Sequence, residues 1–259
     1  AGVIEQVGSK VRGWQVGDRA YGLVGGGGLA DRVAVHERCV VPVPSRLDAQ
    51  QIAAIPEVFI TAHDAVVTQA GLRPGDTLLV HGASGGVGSA AVQIGVAMGA
   101  TVIGVSRHAE GRAAIQSWGA TAIDAEGWVE AVAELTGGRG ADVILELVGS
   151  PNFDGDIASI ARRGRLAIVG IGAGQKVELQ LRDLMTKRAT MFGTTLRARP
   201  LEEKIDAIQR FHHELGPLFD AGRLEPVIDR AFPWFEAADA LSRMESAGKV
   251  GKVLLDFSA

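Results

Sequence analysis

Between Thr77 and Gly88 the chain reads TLLVHGASGGVG, with four glycines inside seven residues, at positions 82, 85, 86 and 88. Ahead of them Leu78, Leu79 and Val80 form a short apolar run suited to a buried parallel strand. Behind them Ser89 to Met98 has the composition of a helix. In the order strand, tight turn, helix, small residues have a chemical use. A pyrophosphate reaches main-chain amides and the positive end of a helix only where no Cβ stands in the way. Ala83, Gly85 and Gly88 occupy the three small-residue positions of the dinucleotide fingerprint G-x-G-x-x-G, with alanine in the first. A glycine-rich turn alone is often only a turn; the strand before it and the helix after it make this one a cofactor site.

The residue that ends the next strand selects the dinucleotide. A carboxylate there accepts the ribose 2′-hydroxyl, whereas a neutral or basic group accommodates a 2′-phosphate. This chain has Ser106-Arg107-His108 at that point and no acid before Glu110. A serine hydroxyl and a guanidinium both donate to phosphate, and charge-assisted bonds of about 1.5 to 3 kcal/mol predict a roughly ten- to hundredfold preference for NADPH. Arg107 read as a solvated loop charge is the plain alternative, and Arg112 is a second candidate arm.

These residues need a scaffold. The 259 residues are 47% hydrophobic and 22% charged, enough for one large or two medium domains with a core. A net charge of -4 and a pI near 5.9, without a long basic run, argue against nucleic acid or a membrane surface as the main partner. Cys39 is the only cysteine, which gives no disulfide framework or cysteine-based zinc cluster and suits a reducing, cytoplasmic setting. No apolar run approaches the length of a membrane span.

From Thr77 to Leu196 the pattern alternates. Strands are predicted at 77–80, 101–105, 121–123, 142–148, 165–171 and 189–196, with helices at 89–98, 109–118, 127–135 and 153–161. Such alternation predicts an α/β fold with an open, doubly wound parallel sheet. Residues 1 to about 45 are short apolar runs, including Ala30 to Val35, broken by turn residues, and predict a small β-rich lobe of antiparallel strands. Helix is predicted from Asp48 to Ala70, broken at Pro56. After Leu201 the period changes to helix, strand at 227–232, helix at 235–246 and strand at 252–257, a tail expected to rejoin the first lobe. The expected division is 1–56, 57–199 and 200–259. Ala1 begins a strand already under way, so a preceding segment is expected.

Together, GDRAYGL, VPVPSRLDAQQIAAIPEVFITAHDAV, RPGDTLLVHGASGGVGSAAVQIGVAMGATVIG, the Gly119-Ala120 pair and ADVILELVG resemble the zinc-independent quinone oxidoreductases of the medium-chain dehydrogenase/reductase superfamily. The segment from Ala53 to Ala62 is most similar to their p53-inducible branch. The resemblance covers essentially the whole chain. It implies a Rossmann lobe that binds NADPH and a GroES-like catalytic lobe, partial here because about sixty residues precede this point in the family. It also implies a homodimer paired through the 189–196 strand, and a small-molecule quinone or enone substrate. Matching positions imply Thr61 beside the nicotinamide, Gly85, Gly86 and Val87 at the pyrophosphate turn, and Val148, Gly149, Gly170 and Ile171 bordering the nicotinamide half. Phe192 matches the segment near the carboxamide. Where many relatives place a tyrosine beside the 2′-phosphate, this chain has Ile123-Asp124-Ala125.

Zinc-dependent relatives carry a cysteine-rich lobe and a Gly-His-Glu ligand motif. Here the histidines at 36, 63, 81 and 108 are scattered, and neighbours such as His212-His213 on a helix face different ways, so no metal site is expected. Glu57 falls where zinc alcohol dehydrogenases have a cysteine ligand; it either lines the substrate cleft or sits at a helix start. No general acid is identified. The expectation is a metal-independent, NADPH-dependent reductase of quinones or other activated α,β-unsaturated carbonyls. Its alternatives are reduction of enals, enones or enoyl thioesters, and NADPH binding without turnover.

Overall fold

The computed structural model describes residues 1–258, which fall into two compact units. One comprises residues 1–61, 196–247 and the chain from Gly251 onward; the other comprises 62–195 with 248–250.

The first unit opens with β1 (Gly2–Val3), β2 (Arg19–Gly22) and β3 (Val40–Pro42), an antiparallel sheet in that order. The strand expected across Ala30 to Val35 does not form, and Leu29 and Val33 are exposed there. A strand needs a partner for its N–H and C=O groups, and this segment has none among the described residues. α1 (Ala49–Ala53) starts with a capping box: the Gln51 amide donates to Asp48 Oδ1 at 2.8 Å, and the Asp48 amide donates to Gln51 Oε1 at 3.0 Å. α2 (Pro56–His63) begins at a proline, where a missing N–H costs nothing, and runs on as a π-helical stretch over Asp64–Gln69. Apolar spacing predicts only a helix there, because one widened turn barely alters it.

The second unit runs β4 (Thr77–Val80), α3 (Gly86–Ala97), β5 (Thr101–Val105), α4 (Ala109–Ser117), β6 (Thr121–Ile123), α5 (Trp128–Leu135), β7 (Ala141–Glu146), α6 (Phe153–Ser159), β8 (Ile160–Ile168), α7 (Leu181–Lys187) and β9 (Thr190–Gly193). The six strands pair in parallel in the order β6-β5-β4-β7-β8-β9, so the winding reverses between β4 and β7. This is a Rossmann sheet. β8 starts five residues before the predicted 165, because its pairing with β7 slips between Ala141 and Val143 around Arg163, a residue at φ 64. The sequence pattern does not predict α7, because every one of its side chains is exposed or half-buried and no apolar stripe marks it.

Leu79, Ile103, Val105, Ile144 and Leu166 of the sheet pack with Trp128, Val132, Phe153 and Ile157 of α5 and α6. The amino-terminal edge of the sheet is tied by side chains. Asp142 Oδ2 accepts the Thr77 amide at 2.8 Å, and Arg139 donates both to Asp142 at 2.7 Å and to Thr77 Oγ1 at 2.8 Å.

The remaining elements belong to the first unit: α8 (Leu201–Asp220), β10 (Ile228–Pro233), α9 (Ala237–Glu245) and β11 (Lys252–Asp256), with β10 and β11 paired in parallel. One stripe of α8 is buried; its Phe211 meets Tyr21 edge-on at 6.5 Å, and its Phe219 meets Phe59 at 4.9 Å.

Candidate functional site

β4 is buried along its whole length and delivers the chain to the carboxyl edge of the sheet. The His81 amide bonds Leu145 O, Gly82 turns at φ 61, the Ala83 amide bonds Val105 O, and the Gly85 amide closes the turn on Gly82 O at 3.0 Å. The glycines differ in what they do. A Cβ on Gly88 would lie 2.3 Å from Gly82 O and 2.7 Å from Ala83 Cα, so only glycine lets α3 rest on the turn. A Cβ on Gly85 would meet only Gly82 O, at 3.3 Å, a contact that a shift of a few tenths of an ångström relieves, so packing restricts this position far less than Gly88. Gly85 is the N-cap of α3 and supplies no side-chain cap. The amides of Gly86, Val87 and Gly88 therefore have no intrahelical partners and lie at the positive end of a helix of 12 residues. An approach open at Gly85, leading to amides without intrahelical partners, fits a pyrophosphate.

At the end of β5, Ser106 is buried and its Oγ lies 3.1 Å from Ser84 Oγ. The hydroxyl expected to face a phosphate thus ties the glycine turn to the end of β5. Gly111 permits this, since a Cβ there would stand 2.3 Å from Ser106 Oγ. Arg107 is exposed. Arg112 reaches back to donate to Ser106 O at 3.0 Å and pairs with Asp124 at 2.6 Å. The acid missing after β5 is thus supplied from just after β6, where it engages the second candidate arm.

The end of β7 holds a group that the sequence did not reveal. Glu146 Oε1 accepts the amides of Val148 and Gly149, the latter at 2.8 Å, and Oε2 accepts Asn152 Nδ2 at 3.0 Å. His81 Nε2 lies 2.8 Å from Asp156 Oδ1 and 3.9 Å from Glu146 Oε2, with its ring edge-on to Trp128. All three side chains are buried. Burial holds His81 down to about 4, opposed by the nearby Glu146 charge, so the imidazole is neutral. Burial raises Asp156 to about 7, opposed by its interaction with the neighbouring Glu146, and burial raises Glu146 as well. One nitrogen and two carboxylates are a donor set that suits a divalent cation, and their ligand atoms lie within 4.8 Å of one another. Here, however, three N–H donors already occupy the Glu146 oxygens.

Gly170 follows β8, and its amide donates to Glu146 O at 3.0 Å; Ile171 beside it is exposed. Phe192 is half-buried on β9, opposite Ala167. Gly85, Gly86, Val87, Ser106, Arg107, Val148, Gly149, Gly170, Ile171 and Phe192 thus lie in the second unit, at or near the carboxyl ends of its strands. Thr61 belongs to the first unit, on α2, where its hydroxyl donates to Glu57 O at 2.6 Å. Glu57 is in the first turn of that helix and pairs with Lys252 at 2.6 Å.

A zinc-binding dehydrogenase profile matches residues 86–212. Human quinone oxidoreductase is 32% identical over 260 positions that cover 98% of this chain and 77% of the human one. Among solved structures, a mycobacterial protein complexed with NADPH is 26% identical with a TM-score of 0.89, covering 98% of this chain and 80% of the other. The CurK enoyl reductase is 27% identical with a TM-score of 0.84, covering 98% and 77%.

Proposed function

The chain belongs to the quinone oxidoreductase family of the medium-chain dehydrogenase/reductase superfamily, and from that premise we propose that it passes hydride from NADPH to a quinone or another activated α,β-unsaturated carbonyl, without a metal ion. The observation that carries this reading is the turn from Gly82 to Gly88, a cradle open at Gly85 and closed by packing at Gly88. When bound, NADPH would supply the hydride, and the protein would supply orientation and electrostatics. The amides of Gly86, Val87 and Gly88 would hold the pyrophosphate. Arg107, exposed at the end of β5 where no carboxylate stands, would face the 2′-phosphate. Val148, Gly149, Gly170, Ile171 and Phe192 would border the nicotinamide half. A cytoplasmic homodimer paired through β9 is part of the same reading.

Likeness to the CurK enoyl reductase favours a second reading, reduction of an enoyl thioester. Oxidation of NADPH, followed by its absorbance with 1,2-naphthoquinone and with an enoyl thioester as acceptors, separates the two. Elemental analysis of the same sample tests metal independence. Tight NADPH binding without turnover of either acceptor would refute the reductase assignment in favour of a binding protein, and one equivalent of zinc required for turnover would refute the metal-free chemistry.

A further inference from the structure

We propose that His81, Glu146 and Asp156 are positioning residues that hold the loop after β7 in the shape required by the nicotinamide half of the cofactor. The inference rests on the nicotinamide site proposed above. In a doubly wound sheet the ligand lies outside the carboxyl ends of the strands where the winding reverses, here between β4 and β7. The buried cluster joins both flanks of that crevice. His81 is bonded covalently to Gly82, the first residue of the glycine turn. Glu146 ends β7 and folds its carboxylate back over the loop that follows, accepting the amides of Val148 and Gly149 together with Asn152 Nδ2. The carbonyls of the same two residues are engaged as well, Val148 O by the Ala173 amide at 2.9 Å and Gly149 O by the Asn152 amide at 3.2 Å, so the main chain of the loop is held on both sides. Gly149 sits at φ 121 and ψ −152, and a Cβ there would be 2.4 Å from Gly174 O, so the arch has little freedom once the carboxylate holds it. Asp156, from α6, completes the link through its 2.8 Å contact with His81.

Stability alone gives no reason for this arrangement. Two carboxylates and an imidazole taken out of water are costly, and well-packed apolar groups in their place are often as stable or more so. Asp156 Oδ2 is buried without a hydrogen-bond partner, an arrangement far less costly for a carboxylic acid than for an anion. Three N–H donors converge on the Glu146 carboxylate. The carboxylate is in the place where it can fix main-chain amides of the cofactor-facing loop.

Glu146→Gln keeps the shape and one accepting oxygen but removes the charge; Asn152→Ala removes one donor and disturbs packing less. Loss of charge-assisted bonds predicts that the dissociation constant of NADPH, read from nicotinamide fluorescence, rises roughly tenfold to thirtyfold in Glu146→Gln and about threefold in Asn152→Ala. Adenosine 2′,5′-bisphosphate, which fills only the adenine half, should bind both variants within about twofold of wild type. Equal weakening of both ligands would reduce the cluster to general support of the fold, and unchanged NADPH affinity in both variants would also overturn the proposal. One equivalent of zinc in the wild-type protein, lost in Glu146→Gln, would replace positioning by metal binding. Failure of the wild-type protein to bind any nicotinamide dinucleotide would instead remove the site on which the inference rests.

Discussion

Gly85 and Gly88 stand three residues apart in one turn, and replacing each with alanine should give opposite phenotypes. At Gly88 the new methyl would lie 2.3 Å from Gly82 O and 2.7 Å from Ala83 Cα, both main-chain atoms that cannot swing away. Overpacking of this kind costs about 1–3 kcal/mol, offset by roughly 1 kcal/mol of helix propensity gained from alanine. The net loss, up to about 2 kcal/mol, lowers the melting temperature by roughly 4–8 °C for a chain of this size. At Gly85 the backbone has φ −73 and ψ 178, which alanine adopts freely, and the methyl has one neighbour at 3.3 Å. The stability cost is a poorer N-cap, at most about 1 kcal/mol, together with the small shift that the 3.3 Å contact with Gly82 O requires. That methyl stands instead in the open approach to the helix amides, and losing one charge-assisted bond of about 1.5 to 3 kcal/mol weakens NADPH about tenfold to a hundredfold. Calorimetric melting and fluorescence titration of both variants give the contrast directly. A Gly85→Ala protein that melts normally and binds NADPH within threefold of wild type would refute the assignment of this turn to pyrophosphate.

Three further expectations concern charge. Arg107→Asp should weaken NADPH far more than NADH; an unchanged ratio of the two dissociation constants removes Arg107 from the 2′-phosphate site. Asp124→Asn frees Arg112 from its 2.6 Å ion pair, and NADPH should tighten about threefold to tenfold while NADH stays the same. Asp156, raised by burial to about 7, contributes stability that is fully present below the unfolded carboxylate range and lost as pH rises through about 7. His81, lowered to about 4, has the opposite sign and loses its contribution as pH falls through that value. Urea unfolding at pH 6 and pH 8.5 should show lower stability at the higher pH, and Asp156→Asn should flatten the difference.

The parallel sheet was legible because each strand is a short apolar run and each helix carries its own period, so β4 to β7 stand within a residue or two of expectation. The glycine turn was legible because sterics restrict which residues can make it. His81, Glu146 and Asp156 were not. His81 and Asp156 lie 75 positions apart, and an acid inside α6 reads from sequence as a solvated helix charge. Only the pairing of β4 with β7 brings them together. Ser106 illustrates a second limit. Its residue type announces a donor, but whether the hydroxyl faces a ligand or Ser84 depends on the close approach of α4 allowed by Gly111. In the first unit the apolar composition of Ala30 to Val35 suggests a strand, yet that segment finds no partner among the described residues.

The ties among Arg139, Asp142 and Thr77 lie at the end of the sheet remote from the glycine turn, yet they act on it as a gauge. Asp142 grips the first residue of β4, and from that point the stagger is fixed: Leu78 sits beside Val143, Leu79 beside Ile144 and Val80 beside Leu145. The next step up the ladder places His81 beside Glu146. A slip of one residue would displace β4 by about 3.3 Å and turn the imidazole to the opposite face. A salt-linked corner with no chemistry of its own thus sets the alignment of the acid and imidazole at the far end of the strands.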